Sequence, residues 1–165
     1  MKKMFSVVLF LLLINGLLAS DKQDSIPVHL KGVPFPDFKL LLADSSVFYN
    51  SALSPKKNII LIGFSPECEH CRLQTEELLS HIKEFKETQI VMSTTLPFEK
   101  MKAFYNEMNI AKHKNIIMGR DVLFYFPKYF QNGYLPGIAV YNKKRTLLNF
   151  YDGGVKTEEL IKLLN

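Results

Sequence analysis

An apolar run at Ile59–Ile62 leads through Gly63-Phe64-Ser65-Pro66 to Cys68-Glu69-His70-Cys71, and from there apolar residues recur at helical spacing as far as Leu79. Four consecutive branched apolar residues ahead of a Gly- and Pro-containing turn read as a buried strand. That strand delivers two cysteines to the first turn of a helix, and this order constrains the rest of the chain. These are the only cysteines among 165 residues. Two are too few for a disulfide scaffold, and C-x-x-C in this setting reads as a redox pair.

The placement favours thiol chemistry. Thiolate is the nucleophile, and a helix N-terminus offers unpaired N–H groups and partial positive charge that stabilise it. Cys68 is therefore the candidate attacking thiol. Cys71, nearly one turn later, is placed to attack a mixed disulfide formed on Cys68 and resolve it. His70 and Glu69 lie between them as candidate modulators of the Cys68 pKa, a protonated His70 lowering it and Glu69 raising it.

At 165 residues with 47% hydrophobic content, one domain with a full core is expected. Met1 to about Ser20 reads as an export signal: Lys2 and Lys3, an apolar run over Phe5–Ile14, then small residues after Asn15-Gly16. The apolar stretch is short for a spanning helix, so cleavage is expected, with an uncleaved anchor as the alternative. The expected location is periplasmic or otherwise extracytoplasmic, where disulfide chemistry is in demand. Outside the signal, 19 basic residues face 16 acidic ones, a net of +3. The basic residues are scattered, and no nucleic-acid footprint is expected.

Residues 21–36 read as an extended, proline-bearing leader and 37–165 as the folded domain. Strands are expected over Phe38–Ala43 and Val47–Tyr49, with Asp44-Ser45-Ser46 as their turn. The helix after the cysteines is expected to run to Glu84 or Phe85, with Cys71, Thr75, Leu78, Ile82 and Phe85 on one face. A second buried strand follows over Gln89–Ser93. Pro97 opens a helix striped by Phe98, Met101, Phe104, Tyr105 and Met108, a core stripe rather than a cofactor site. Further strands are expected at Asn115–Met118, Ile138–Tyr141 and Thr146–Tyr151, with a short helix near Pro127–Phe130. Thr157 is the expected N-cap of the last helix, with Glu158 and Glu159 in its first turn.

This order, with its C-x-x-C and a Leu135-Pro136 turn entering a late hairpin, resembles the thioredoxin superfamily. It resembles more narrowly the exported TlpA/ResA-type thiol-disulfide oxidoreductases. The leader residues Gly32-Val33-Pro34-Phe35-Pro36-Asp37-Phe38 are similar to the opening of that group and of peroxiredoxins. The resemblance covers Val33 to Leu164. It implies an α/β thioredoxin-like fold, a central mixed β-sheet flanked by helices, with C-x-x-C at the N-terminus of the first core helix. It implies that Pro136 is a cis-proline facing the cysteines. Leu135 and Pro136 would shape the groove for a substrate backbone, and the proline would keep metals off the cysteines. It further implies a redox-active disulfide without other cofactor, protein or small-molecule thiols and disulfides as partners, and a membrane redox partner.

Three positions depart from the family pattern. Glu67 stands where Trp usually precedes the first cysteine, and the chain has no Trp. Ile62 stands where thioredoxins carry a buried Asp, and Gln74 where TlpA/ResA proteins often carry Glu. The usual proton acceptor for Cys71 is thus missing from both places; Glu76 or Glu77 could substitute, although a solvated helix face is the ordinary reading of both.

Other readings of the residues stay open. Ser65, three before Cys68, imitates the T-x-x-C of a peroxiredoxin-type peroxidase. A binding module that kept the fold is another possibility. Zinc usually takes four ligands, and His29, His70, His81 and His113 form no ligand pair with the two cysteines, so no metal is expected. Arg72, not His, follows Cys71, which excludes c-type haem attachment. The C-E-H-C sequence resembles oxidants, while the TlpA/ResA resemblance favours a reductant.

Overall fold

The computed structural model describes residues 26–165, so the expected export signal and the start of the leader lie outside the described residues. Seven strands form one mixed sheet: β1 (Lys39–Leu42), β2 (Val47–Tyr49), β3 (Asn58–Gly63), β4 (Thr88–Thr94), β5 (Ile116–Arg120), β6 (Gly137–Tyr141) and β7 (Leu147–Asp152). Their spatial order is β2-β1-β5-β4-β3-β6-β7. The inner strands β3, β4 and β5 run parallel, β6 lies antiparallel to β3, and β1 antiparallel to β5. Among the described residues four α-helices complete the fold: α1 (Glu69–Ser80), α2 (Phe98–Glu107), α3 (Tyr125–Phe130) and α4 (Thr157–Leu164).

From Ile59 to Gly63 β3 is apolar, because both its edges and both its faces are covered. Ile60 and Ile62 point into a core built with Leu78 of α1, Phe104 of α2 and Leu160 of α4. Ile59 and Leu61 point the other way, into a core with Leu30, Phe38, Phe126 and Phe130. Period-two alternation thus sends one uninterrupted run into two cores. At the site end of β3, Gly63 pairs with Gly137 of β6. Neither carries a side chain because the Phe126 ring fills that space; a Cβ on Gly63 would stand 2.3 Å from a ring carbon.

The leader is bound to the second core from its first described residues. Leu30 is buried, and the Phe35 ring meets Tyr141 edge-on at 4.8 Å. The Tyr129 hydroxyl donates to the Pro34 carbonyl. The Arg145 guanidinium lies 5.5 Å from the Phe35 ring centre and donates to the carbonyls of Ser54 and Lys57. Ile26 and Leu30 share a shallow pocket with Arg145 and Leu147, at the end of the sheet away from Gly63 and Gly137.

Strands and helices fall where the sequence pattern predicts, with three corrections, the first being that Val28–Leu30 of the expected extended leader form a 3-10 turn. α1 stops at Ser80 rather than running to Phe85. His81 leaves the helical region (φ −106°, ψ 15°), and Ile82–Phe85 form a 3-10 turn that still buries Phe85. The helical period continues through the turn, which is why sequence alone extends the helix. Thr157 is not an N-cap: Lys156 holds that position, and Thr157 is the first helical residue, fully buried. Its N–H is satisfied instead by the Glu77 carboxylate at 3.3 Å.

The Gly63–Phe126 fit generates a prediction. Gly63→Ala should destabilise the fold by about 1–3 kcal/mol through overpacking, read as a lowered urea midpoint with unchanged slope.

Candidate active site

β3 ends at Gly63, and the Phe64 N–H is tied to the Ser93 carbonyl at 3.0 Å, so the turn carrying the cysteines leaves the sheet at a fixed point. Cys68 occupies the N-cap of α1 in extended conformation, and its sulfur accepts the Cys71 N–H at 3.3 Å. Both cysteines are free thiols. Cys68 is partly exposed and Cys71 is 1% exposed. Burial, reinforced by the neighbouring Cys68 thiol, pushes the Cys71 thiol up to about 12. The pair is therefore asymmetric: one sulfur meets solvent, and the other is held protonated beneath it.

The Leu135–Pro136 peptide is cis, as the resemblance implied. Leu135 turns its carbonyl toward the Cys68 thiol, which donates to it at 3.8 Å. The Asp152 carboxylate fixes this loop by accepting the N–H groups of Gly133 at 3.0 Å and Tyr134 at 2.8 Å. The Gly153 N–H donates to the Pro136 carbonyl at 3.1 Å. The end of β7 thus holds both sides of the proline.

A shallow cleft of about 520 Å³ runs beside the cysteines, between His70, Leu73 and Gln74 of α1, Tyr134 and Leu135 of the proline loop, and Gly154. Leu73, Tyr134 and Leu135 present exposed apolar surface along it. His70 and Glu69 are exposed in the first turn. His70 lines the cleft, which Glu69 does not. Gln74 is 6% exposed, and its Oε1 accepts the Val155 N–H at 2.9 Å. It joins α1 to the segment before α4, where a carboxylate would have offered a proton acceptor. Glu77 is engaged at Thr157, and Glu76 is exposed. The groups that act on the Cys71 thiol are Cys68 and the backbone of Ser65 and Cys71 itself, with no carboxylate among them.

Behind the turn, α2 is clamped to it by two ion pairs. Arg72 makes a forked contact with Glu107 (2.6 and 3.2 Å) and lies 5.4 Å from the Phe104 ring centre. Lys100 pairs with Glu67, the residue directly before Cys68.

The fold is thioredoxin-like: a mixed sheet between helices, a dithiol opening the first core helix and a cis-proline across from it. Among solved structures, the chain is similar to a secreted Mycobacterium tuberculosis disulfide oxidoreductase homologous to E. coli DsbE, at 17% identity and TM-score 0.64, with 76% of this chain and 92% of that one covered. It is also similar to the peroxidoxin BcpB from Mycobacterium tuberculosis, at 16% identity and TM-score 0.66, with 80% and 94% covered. No protein-family model matches the chain, and no curated protein does.

The structure brings Cys68, Cys71, Leu135, Pro136 and His70 to the end of the sheet where β3 stops and β6 starts. Asp152 is the site residue that sequence reasoning missed, since Asp152-Gly153-Gly154 reads only as the end of a strand. No local pattern marks it, because its partners Gly133 and Tyr134 lie 19 and 18 residues back.

Two predictions follow from this geometry. A group whose folded pKa is raised contributes stability below its unfolded pKa and loses it as pH rises through the folded value. The reduced protein should therefore lose stability between pH 9 and about 12, from the shift of Cys71. Cys71→Ala should lack that component in parallel denaturant titrations. Asp152→Asn should free the proline loop and slow disulfide exchange by about tenfold through lost positioning, with Tm little changed, as read by stopped-flow kinetics and thermal melts.

Proposed function

We propose that the protein is a thiol-disulfide oxidoreductase working through a Cys68/Cys71 dithiol. The observation that carries this reading is the sulfur-capped helix start: an accessible Cys68 whose sulfur accepts the Cys71 N–H, with Cys71 buried beneath it and the Leu135 carbonyl opposite. The similarity of fold to a secreted disulfide oxidoreductase supports the same assignment.

In the reducing direction, the Cys68 thiolate attacks one sulfur of a substrate disulfide. A Cys68–substrate bond forms, and the other substrate sulfur leaves as thiolate and takes up a proton. Cys71 then loses its proton and attacks the Cys68 sulfur. The Cys68–Cys71 disulfide forms, the second substrate thiol is released, and two electrons have passed from the dithiol to the substrate. Because Cys71 is held protonated until then, the mixed disulfide persists long enough for the substrate backbone to dock along Leu135 and Pro136. His70, two residues on from Cys68, lines the cleft beside Leu135. The oxidising direction is the reverse.

We place this activity outside the cytoplasm, on the export-signal features of Met1–Ser20, with protein or small-molecule thiols and disulfides as substrates. A membrane redox partner would return electrons to the oxidised dithiol, and the reducing direction is favoured on the TlpA/ResA resemblance. A second reading, a thiol peroxidase, is favoured by the likeness to a peroxidoxin and by Ser65 three residues before Cys68. The Ser65 hydroxyl, however, accepts the Glu67 N–H at 3.2 Å, which makes it part of the turn.

The test is disulfide exchange by the mature protein. Cys68→Ser should abolish it, and Cys71→Ser should trap a mixed disulfide visible by mass spectrometry. A glutathione titration of the pair fixes the direction: about −270 mV marks a reductant and about −120 mV an oxidant. Peroxide consumption outpacing disulfide exchange would install the peroxidase reading instead.

A further inference from the structure

A second cleft, of about 400 Å³, opens on the other side of Leu135, with walls that include Ser65, Thr94, Asp121, Phe126 and Asn132. It sits where the parallel strands β3, β4 and β5 end, the position at which open α/β sheets bind ligands. Two of its lining residues, Ser65 and Leu135, contact Cys68. The Ser65 carbonyl accepts the Cys68 N–H at 3.1 Å, and the Leu135 carbonyl accepts the Cys68 thiol. Leu135, the acceptor of the Cys68 thiol, therefore lines both clefts.

Alongside the hydroxyls of Ser65, Ser93, Thr94 and Thr95, this second cleft holds two buried groups without a partner among the described residues, both of them acceptors. Asp121 is 1% exposed; one carboxylate oxygen accepts the Phe126 N–H at 3.0 Å, and Oδ1 has no hydrogen-bond partner among the described residues. The Asn132 amide nitrogen donates to the Tyr134 carbonyl at 2.9 Å, which fixes the amide and leaves its Oδ1 as a second buried acceptor without a partner. Thr94 Oγ1 already accepts the Leu96 N–H. Among the described residues, Asp121 is the only charged side chain lining the cleft. Its neighbour Arg120 shares strand parity with Ile116 and Met118, which point into the opposite core. Buried acceptors without donors, one of them charged, call for a compact cation that brings several N–H groups.

We propose that this cleft seats the ammonium group of an amine-bearing disulfide while its sulfur meets Cys68, with Asp121 as counter-ion and Asn132 as second acceptor. The substrate role rests on the disulfide-exchange reading above. The ammonium can belong to a small aminothiol disulfide or to a lysine beside a disulfide in a peptide.

The test compares reduction of cystamine with that of bis(2-hydroxyethyl) disulfide by the reduced full-length protein. Each rate is divided by that of a free thiol under the same conditions, to remove intrinsic reactivity. The wild type should prefer the diammonium disulfide by about tenfold, and Asp121→Asn should bring the ratio close to one. A wild-type ratio near one, or a ratio unchanged in Asp121→Asn, overturns the proposal. Matched disulfide peptides carrying lysine or norleucine beside the cysteine separate the two sources: a lysine preference assigns the site to peptides, and its absence beside a cystamine preference assigns it to small aminothiols. Binding is read independently of exchange, and of the folding of Asp121→Asn, by titrating Cys68→Ser with hexane-1,6-diammonium and with hexane-1,6-diol. Amide shifts at Asp121, Phe126 and Gly133 with the diammonium alone support the site, and their absence overturns it even where exchange proceeds. Diammonium binding by a protein that exchanges neither disulfide keeps the cation site and overturns the exchange reading.

Discussion

A single hydrogen bond, from the Cys71 N–H to the Cys68 sulfur, organises the working end of this protein. The first N–H groups of a helix have no partners within the helix and need an acceptor from outside. Most helices take it from an oxygen; α1 takes it from the sulfur that is to react. One contact thereby caps the helix, fixes the spacing of the two thiols and holds the outer sulfur against N–H groups and the helix dipole. The inner sulfur falls into the core by the same geometry, and burial holds it protonated.

This capped turn is held from three directions. β3 fixes its start through the central sheet. The end of β7 fixes the proline loop opposite, through Asp152 and Gly153. α2 holds it from behind through Arg72–Glu107 and Lys100–Glu67. Each of these exposed ion pairs contributes little to stability. Their role is positional: Lys100 of α2 holds Glu67, the residue directly before Cys68, and Glu107 of the same helix holds Arg72, the residue directly after Cys71.

How far the sequence discloses this depends on the range of the interaction. Local, periodic features are legible. The run Ile59–Ile62 must be a buried strand, the cysteines must open a helix, and Leu135-Pro136 must turn the chain into the late hairpin. What escapes is fixed by hydrogen bonds between residues distant in sequence. Glu77 displaces Thr157 from its expected capping role across 80 residues, and Asp152 reaches back to Gly133 and Tyr134. Gln74 is buried, and its partner, the Val155 N–H, lies 81 residues away. The end of α1 is misjudged for another reason: a 3-10 turn keeps Phe85 buried while abandoning the α-helical backbone, and side-chain periodicity does not register the change.

The leader sets a direction for the whole molecule. Its residues are fastened beside Tyr141, Arg145 and Leu147, while the dithiol lies beyond Gly63 and Gly137, at the opposite end of the same strands. Anything attached upstream of Ile26, whether a lipid-facing segment, a fusion partner or an immobilising tag, would join the molecule at its rear. The protein would then stand on its attachment point with Cys68 outermost, and incoming disulfides would approach without crossing the tether.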